Sequence, residues 1–214
     1  MTRPRVLIAD DHRMVAEGLR SLLEPEFELV EIVEDGRQLI DAAKRLAPDI
    51  IVADITMPQL NGLDAVEQIR REGCKAKIIF LTMHKDATYA ARALSAGASG
   101  FVLKHSASSE LLKAVRESLG GRTYVTPVIA EMIERISASR SGTAKDDSPI
   151  LTPRQREVLQ LFAEGRSAKE VASRLHISVR TAENHKARIM ALIGASTTAD
   201  LIQFAIRHGL VASD

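Results

Sequence analysis

Short apolar runs alternate with longer segments of helical period through the first half of the chain. Val6–Ala9, Leu29–Val33, Ile50–Ala53, Ile78–Leu81 and Phe101–Leu103 are bounded by polar residues. Such continuous apolar runs fit strands buried on both faces. Between them, Val15, Leu19, Leu22 and Leu23 share one helical face, as do Leu39, Ala43 and Leu46, and Leu63, Val66 and Ile69. A later helix carries Leu111, Leu112, Val115 and Leu119. The pattern is strand then helix, five times, and predicts an α/β doubly wound five-stranded parallel sheet covered on both faces. In such sheets ligands bind beyond the carboxyl ends of the strands.

The pattern then changes. Residues 127–137 read as a helix with Pro127 at its start and Ile129, Ile133 and Ile136 along it. Ser137–Pro149 is rich in Ser, with almost no apolar anchor, and reads as a flexible linker. The tail reads as four helices by its punctuation. Thr152-Pro153-Arg154-Gln155 forms a capping box with Pro at the first helical position, and Ser167-Ala168-Lys169-Glu170 opens a second helix. Ser178 caps a third that reaches Gly194, and a fourth covers about Thr198–His208 before Gly209. The predicted organisation is a domain over 1–122, a linker helix and flexible linker over 123–149, and a small all-α domain over 150–214.

Charge sharpens this division. The 214 residues carry a net charge of only +1. Residues 1–150 hold 20 Lys and Arg against 22 Asp and Glu, whereas 151–214 hold 9 against 6. An acidic front and a mildly basic back fit two domains with different partners. Hydrophobic residues at 45% and charged residues at 27% give an ordinary globular balance. Cys74 is the single cysteine, which rules out an internal disulfide and fits a partly buried thiol near a helix end. The first apolar run is too short for a signal peptide, and no run reaches the ~18 residues of a membrane span. The expected location is the cytoplasm.

Candidate chemistry sits at the strand ends. Asp10 and Asp11 follow the first apolar run, Asp54 the third, Thr82 the fourth and Lys104 the fifth. Carboxylates, waters and phosphate oxygens suit Mg²⁺, and a carboxylate can also attack phosphorus to form an aspartyl-phosphate. A Lys ammonium would offset charge on the transferring group, and the Thr82 hydroxyl would donate to a phosphoryl oxygen. Isolated acids at strand ends are commonly solvated loop residues; matched positions at several strand ends favour a built site. His12 and His84 flank it and read as surface-loop residues.

Asp10-Asp11, Asp54-Ile-Thr-Met-Pro58 with Asn61-Gly62, Leu81-Thr82 and Gly100-Phe101-Val-Leu-Lys104 resemble the receiver domain of bacterial two-component response regulators, over about 1–120. The resemblance implies a flavodoxin-like sheet and phosphate accepted on Asp54 from a sensor histidine kinase. It implies Mg²⁺ held by Asp11, Asp54 and the main-chain oxygen of Thr56, with Asp10 assisting. It also implies Thr82 and Phe101 as a paired switch, with Phe101 turning inward on phosphorylation. A phosphatase using an Asp nucleophile would need a second Asp where Thr56 stands, so the chain is not expected to be an enzyme.

The second and third tail helices, joined through His176-Ile177, have helix-turn-helix form. On the third, Ala182, His185, Ile189 and Ile193 point one way, and Arg180, Glu183, Asn184, Ala187, Arg188 and Ala191 the other, with Lys186 on the flank. Leu151-Thr-Pro-Arg-Gln-Arg-Glu-Val-Leu159, Gly165, Lys169-Glu-Val-Ala172, Ile177-Ser178 and Thr181 with His185 resemble the LuxR-type helix-turn-helix. The whole chain is similar to response regulators of the NarL/FixJ class. Expected DNA contacts are Arg180, Thr181, Glu183, Asn184, Lys186, Ala187 and Arg188. Asn is suited to reading adenine, and Lys and Arg to holding phosphates. Leu201, Ile202, Ala205 and Ile206 of the last helix are expected to join two tails in a homodimer. The expected partners are the kinase, double-stranded DNA and RNA polymerase, with no membrane. Unphosphorylated, the receiver is expected to restrain the tail by covering the recognition helix or the last helix. The alternative is a regulator of the same fold controlled by protein or ligand binding instead of phosphate.

Overall fold

The structure, a computed structural model, describes residues 2–83, 87–139 and 151–211. His84 and most of the expected linker (140–149) lie outside the described residues. The elements run β1 (Arg5–Ala9), α1 (Arg13–Leu23), β2 (Glu28–Val33), α2 (Gly36–Leu46), β3 (Ile50–Asp54), α3 (Gly62–Arg71), β4 (Lys77–Thr82), α4 (Ala87–Ser95), β5 (Gly100–Leu103), α5 (Ala107–Leu119), β6 (Tyr124–Val125) and α6 (Pro127–Ser139). The tail holds α7 (Pro153–Ala163), α8 (Ala168–Leu175), α9 (Val179–Ile193) and α10 (Thr198–Arg207).

All strand pairs are parallel, in the order β2-β1-β3-β4-β5-β6. The sheet therefore has six strands, where the apolar runs predicted five. The extra strand is two residues long and aligns Gly100 with Tyr124, too short to leave a period in the sequence. One apolar cluster under α2, α3, α4 and α6 joins Leu7, Ile51 and Phe80, and another under α1 and α5 joins Ile8, Val52 and Leu81. Alternate residues of one strand thus serve opposite faces, as the pleat requires. The α6 helix is the one read at 127–137; Ile129 is fully buried with the first cluster. Cys74 is a free, half-buried thiol just past α3.

The tail has its own core, in which Val158, Leu161, Val171, Ala182, Ile189 and Leu201 meet. Its helix ends match the punctuation. Thr152 and Gln155 close a capping box, as do Ser167 and Glu170, and the Ser178 side chain accepts from the Thr181 N–H. Gly194 adopts φ +68 at the end of α9, a left-handed conformation that favours Gly. No single helix among the described residues is long and apolar enough to cross a membrane.

Candidate phosphoacceptor site and DNA-binding face

The register builds the site. Ala9 aligns with Ala53, Asp54 with Leu81, and Thr82 with Leu103. Asp10, Asp54, Thr82 and Lys104 therefore end up along one edge of the sheet. The order β2-β1-β3 reverses direction at β1, and that edge opens at the switch point between β1 and β3.

Asp10, Asp54 and Thr82 are all buried. Lys104 Nζ lies 2.6 Å from Asp54 Oδ2 and 2.8 Å from Asp10 Oδ2. The His12 N–H donates to Asp10 Oδ1 at 2.9 Å, and the Thr56 N–H approaches Asp54 Oδ1 at 3.3 Å. Burial pushes the Asp54 carboxyl above the usual carboxylate range, against the pull of Lys104. Burial opposes the charge on Lys104, but Asp54 and Asp10 outweigh it and hold its pKa above the ordinary value.

Carboxylate oxygens of Asp10, Asp11 and Asp54, with a His12 ring nitrogen, all lie within 4.8 Å of one another. Three carboxylates against one ammonium leave an excess of two negative charges, which one divalent cation would offset. The hard oxygen donors suit Mg²⁺, and the Thr56 hydroxyl beside them is buried without a hydrogen-bond partner among the described residues. The residues present fit the ion. Gly62 makes the loop after β3 possible: its N–H donates to the Ile55 carbonyl at 2.7 Å, and a Cβ there would sit 2.0 Å from the Asp54 carbonyl oxygen.

Phe101, the other member of the expected switch pair, has a single well-defined place in the fold. It is already inward and fully buried, in the cluster that holds Tyr89, Ala90 and Ile129. The Thr126 N–H donates to its carbonyl at 3.0 Å, so the start of α6 is tied over β5. The inward position expected of Phe101 on phosphorylation is the one it occupies here.

The recognition face matches the helical wheel. Ala182 and Ile189 are fully buried, with His185 and Ile193 half-buried. Arg180, Glu183, Asn184, Ala187, Arg188 and Ala191 are exposed on the other side. Thr181 is half-buried, with its hydroxyl 2.7 Å from Ser178 Oγ. Lys186 bonds Thr198 Oγ1 at 3.2 Å and lies over the Phe162 ring at 5.0 Å. The last helix requires a correction. Leu201 and Ala205 are fully buried in the tail's own core, because they sit on the α10 face turned to α7. Of the four residues expected at a dimer contact, Ile202 and Ile206 are half-buried.

The receiver does not cover the recognition helix, contrary to one expected form of restraint; it holds α7. Gln160 is fully buried, accepts the Asn61 N–H at 2.8 Å and donates to the Met57 carbonyl at 2.7 Å. The Gln59 N–H donates to Glu164 Oε1 at 2.9 Å. Arg156 donates to Asp64 Oδ1 at 2.6 Å and Glu67 Oε2 at 2.9 Å, carboxylates that Arg92 also holds. Arg37 pairs with Glu157, and the Tyr89 hydroxyl donates to the Arg207 carbonyl at 2.9 Å. Gln59 has φ +68, unusual for a side chain with a Cβ. It is held there by Glu164, by Asp35, and by Arg174 donating to its Oε1. Sequence reasoning missed these contacts. The only trace was the polar stripe Arg156, Gln160, Glu164 at i, i+4, i+8, which reads equally well as a solvated helix face.

A buried Asp54–Lys104 pair at the edge of a parallel sheet, followed by an exposed recognition helix, defines a receiver joined to a DNA-binding output. Residues 6–116 match the response regulator receiver domain, and 149–205 match the luxR family of bacterial regulatory proteins. The chain belongs to the response regulators that pair these two domains. It is 35% identical to the transcriptional regulatory protein MctR of Rhizobium johnstonii, over 97% of this chain and 95% of that one. It is similar to the solved RcsB response regulator of Salmonella typhimurium, with 30% identity and a TM-score of 0.66 over 95% of this chain and 97% of that one. It is also similar to RcsB solved as two dimers bound to two parallel DNAs, with 29% identity, a TM-score of 0.60 and coverage of 95% and 98%.

Proposed function

We propose that this response regulator accepts phosphate on Asp54 from a sensor histidine kinase, then dimerises and binds promoter DNA in the cytoplasm. The observation that carries the reading is Lys104 Nζ set between Asp54 and Asp10 at 2.6 and 2.8 Å. Among the described residues, Asp54 Oδ1 has only a weak backbone donor, and it is the oxygen that attacks phosphorus. Asp10, Asp11, Asp54 and the main-chain oxygen of Thr56 would hold Mg²⁺, which when bound supplies positive charge for the incoming phosphoryl group. Lys104 offsets the same charge from the other side, and the Thr82 hydroxyl donates to a phosphoryl oxygen.

The outer face of the recognition helix is exposed in this arrangement, and the signal acts on assembly. Two tails pair through the outer side of α10, with Ile202 and Ile206, and place two α9 helices on half-sites about one helical turn apart. The similar RcsB is solved as dimers bound to DNA, which supports a dimer as the DNA-binding form. Arg180, Lys186 and Arg188 hold phosphates, and Glu183 and Asn184 read base edges. RNA polymerase is the final partner.

The test is labelling by acetyl phosphate with Mg²⁺, followed by intact-mass measurement. Wild type should gain one phosphoryl group and Asp54→Asn none. Equal labelling of the two would reject Asp54 as the acceptor.

A further inference from the structure

The mouth of the phosphoacceptor pocket is not made by the receiver alone. A cavity of about 480 Å³ is lined by Asp11, Asp54, Thr56 and Lys104 on one side and by Glu164, Arg166 and Val211 of the DNA-binding domain on the other. Local structure puts Arg166 there. Gly165, at φ +79, ends α7 by a left-handed turn, and the Arg166 N–H folds back to the Leu161 carbonyl at 3.1 Å. The docking of α7 on residues 57–64 then carries this turn over Asp54. Two polar side chains of the turn reach the cavity, and they differ in commitment. Glu164 Oε1 is engaged by the Gln59 N–H and by Gln160 Nε2 at 2.9 Å each. Arg166 is held weakly: among the described residues its one ion pair is to Glu170 at 4.0 Å, its charge also favours the Glu164 carboxylate, and its Nε is buried without a hydrogen-bond partner although the side chain as a whole is 39% exposed. A buried donor without a partner is costly unless a ligand supplies the acceptor.

We propose that Arg166 is a further phosphoryl-oxygen ligand of this pocket, contributed by the output domain itself. The inference rests on Asp54 being the phosphoacceptor. In the transfer, an Asp54 oxygen bonds to phosphorus while the bond from phosphorus to the donor's acyl oxygen or imidazole nitrogen breaks, its electron pair leaving with the donor. Arg166 neither gains nor loses a proton; its fork of N–H groups binds phosphoryl oxygens before and after transfer. By linkage, an anion that Arg166 binds only in the docked arrangement must also tighten docking. Phosphorylation then holds the DNA-binding domain in a fixed orientation for pairing, and does not release it.

The experiment uses the full-length chain with beryllium fluoride and Mg²⁺ as the probe. It reads the dissociation constant and amide hydrogen exchange at Gln59 and Asn61. Wild type should bind the probe, and both amides should exchange more slowly with it. Arg166→Gln should weaken probe binding about tenfold, the size of one charge-assisted hydrogen bond at a half-open site. It should lose the slowing on probe addition while keeping the probe-free exchange of wild type. Arg166→Lys should recover part of the affinity, and Lys169→Gln, an exposed charge at the start of the next helix, α8, should change nothing. Equal probe affinity in Arg166→Gln overturns the proposal, as does faster exchange in wild type on probe addition. Faster probe-free exchange in Arg166→Gln also overturns it, because the residue would then act through docking. If wild type binds no probe and acetyl phosphate labels nothing, the phosphoacceptor reading itself fails, and the proposal with it.

Discussion

Replacing Arg156 with Met should loosen the seat of α7 on the receiver without unfolding either domain. Arg156 is, among the described residues, the one guanidinium of the DNA-binding domain that bonds both Asp64 and Glu67, and its side chain is only 16% exposed against 3% for Asp64. Removing one partner of a fully buried ion pair costs about 3–5 kcal/mol. Here Arg92 stays within 2.7 Å of Asp64 and 3.2 Å of Glu67, so neither carboxylate is left unpaired. The loss should fall to about 1–2 kcal/mol, or roughly 5- to 30-fold in the docking equilibrium. Two amides report that equilibrium directly. The Gln59 and Asn61 N–H groups are bonded to side chains of α7, Glu164 and Gln160. Their hydrogen exchange should therefore be slow in wild type and accelerate by that factor in Arg156→Met. Amides inside α9 and β3 should be unaffected. Unchanged exchange at Gln59 and Asn61, or fast exchange at both in wild type, would refute the reasoning.

Three further outcomes are expected. Gly62→Ala should lower stability by about 1–3 kcal/mol in urea melts, since its Cβ would meet the Asp54 carbonyl at 2.0 Å and the loop would have to shift; an unchanged midpoint would show that the loop yields freely. Burial, then the hydrogen bond to Glu110, pushes the Tyr124 phenol up to about 12 from 10.0. The neutral form is favoured in the fold, so its contribution is full below pH 10 and fades as pH rises through the folded value. Absorbance titration at 295 nm should show this late ionisation, and Tyr124→Phe should remove it. Arg188→Ala should weaken binding to all DNA sequences and flatten the salt slope, whereas Asn184→Ala should relax base preference at one position by about 1–3 kcal/mol. Equal loss on specific and random DNA for Asn184→Ala would remove it as a reader.

The sequence by itself determined what depends on short range. Strands buried on both faces show as continuous apolar runs, and helices show as a 3.6-residue period. Caps show because Thr152, Ser167 and Ser178 bond to amides three residues away. The site residues were legible for the same reason: a parallel register puts the residues that end each strand on one edge, so Asp10, Asp54, Thr82 and Lys104 could be placed together before any distance was known.

Tertiary structure decided what depends on which surface a side chain meets. A two-residue strand at Tyr124–Val125 has no period to read. Phe101 lies inward because residues after β5 close over it, and Leu201 and Ala205 turn inward because α7 packs on that side of α10. The polar stripe of α7 carries the same residues whether it faces water or the main chain of another domain. Only the fold shows that Gln160 takes up backbone groups beside Asp54, and that Arg166 lines the pocket at Asp54. Hydrogen-bonding capacity is written in the residue type, but the partner that satisfies it is set by the packing of elements a hundred residues apart.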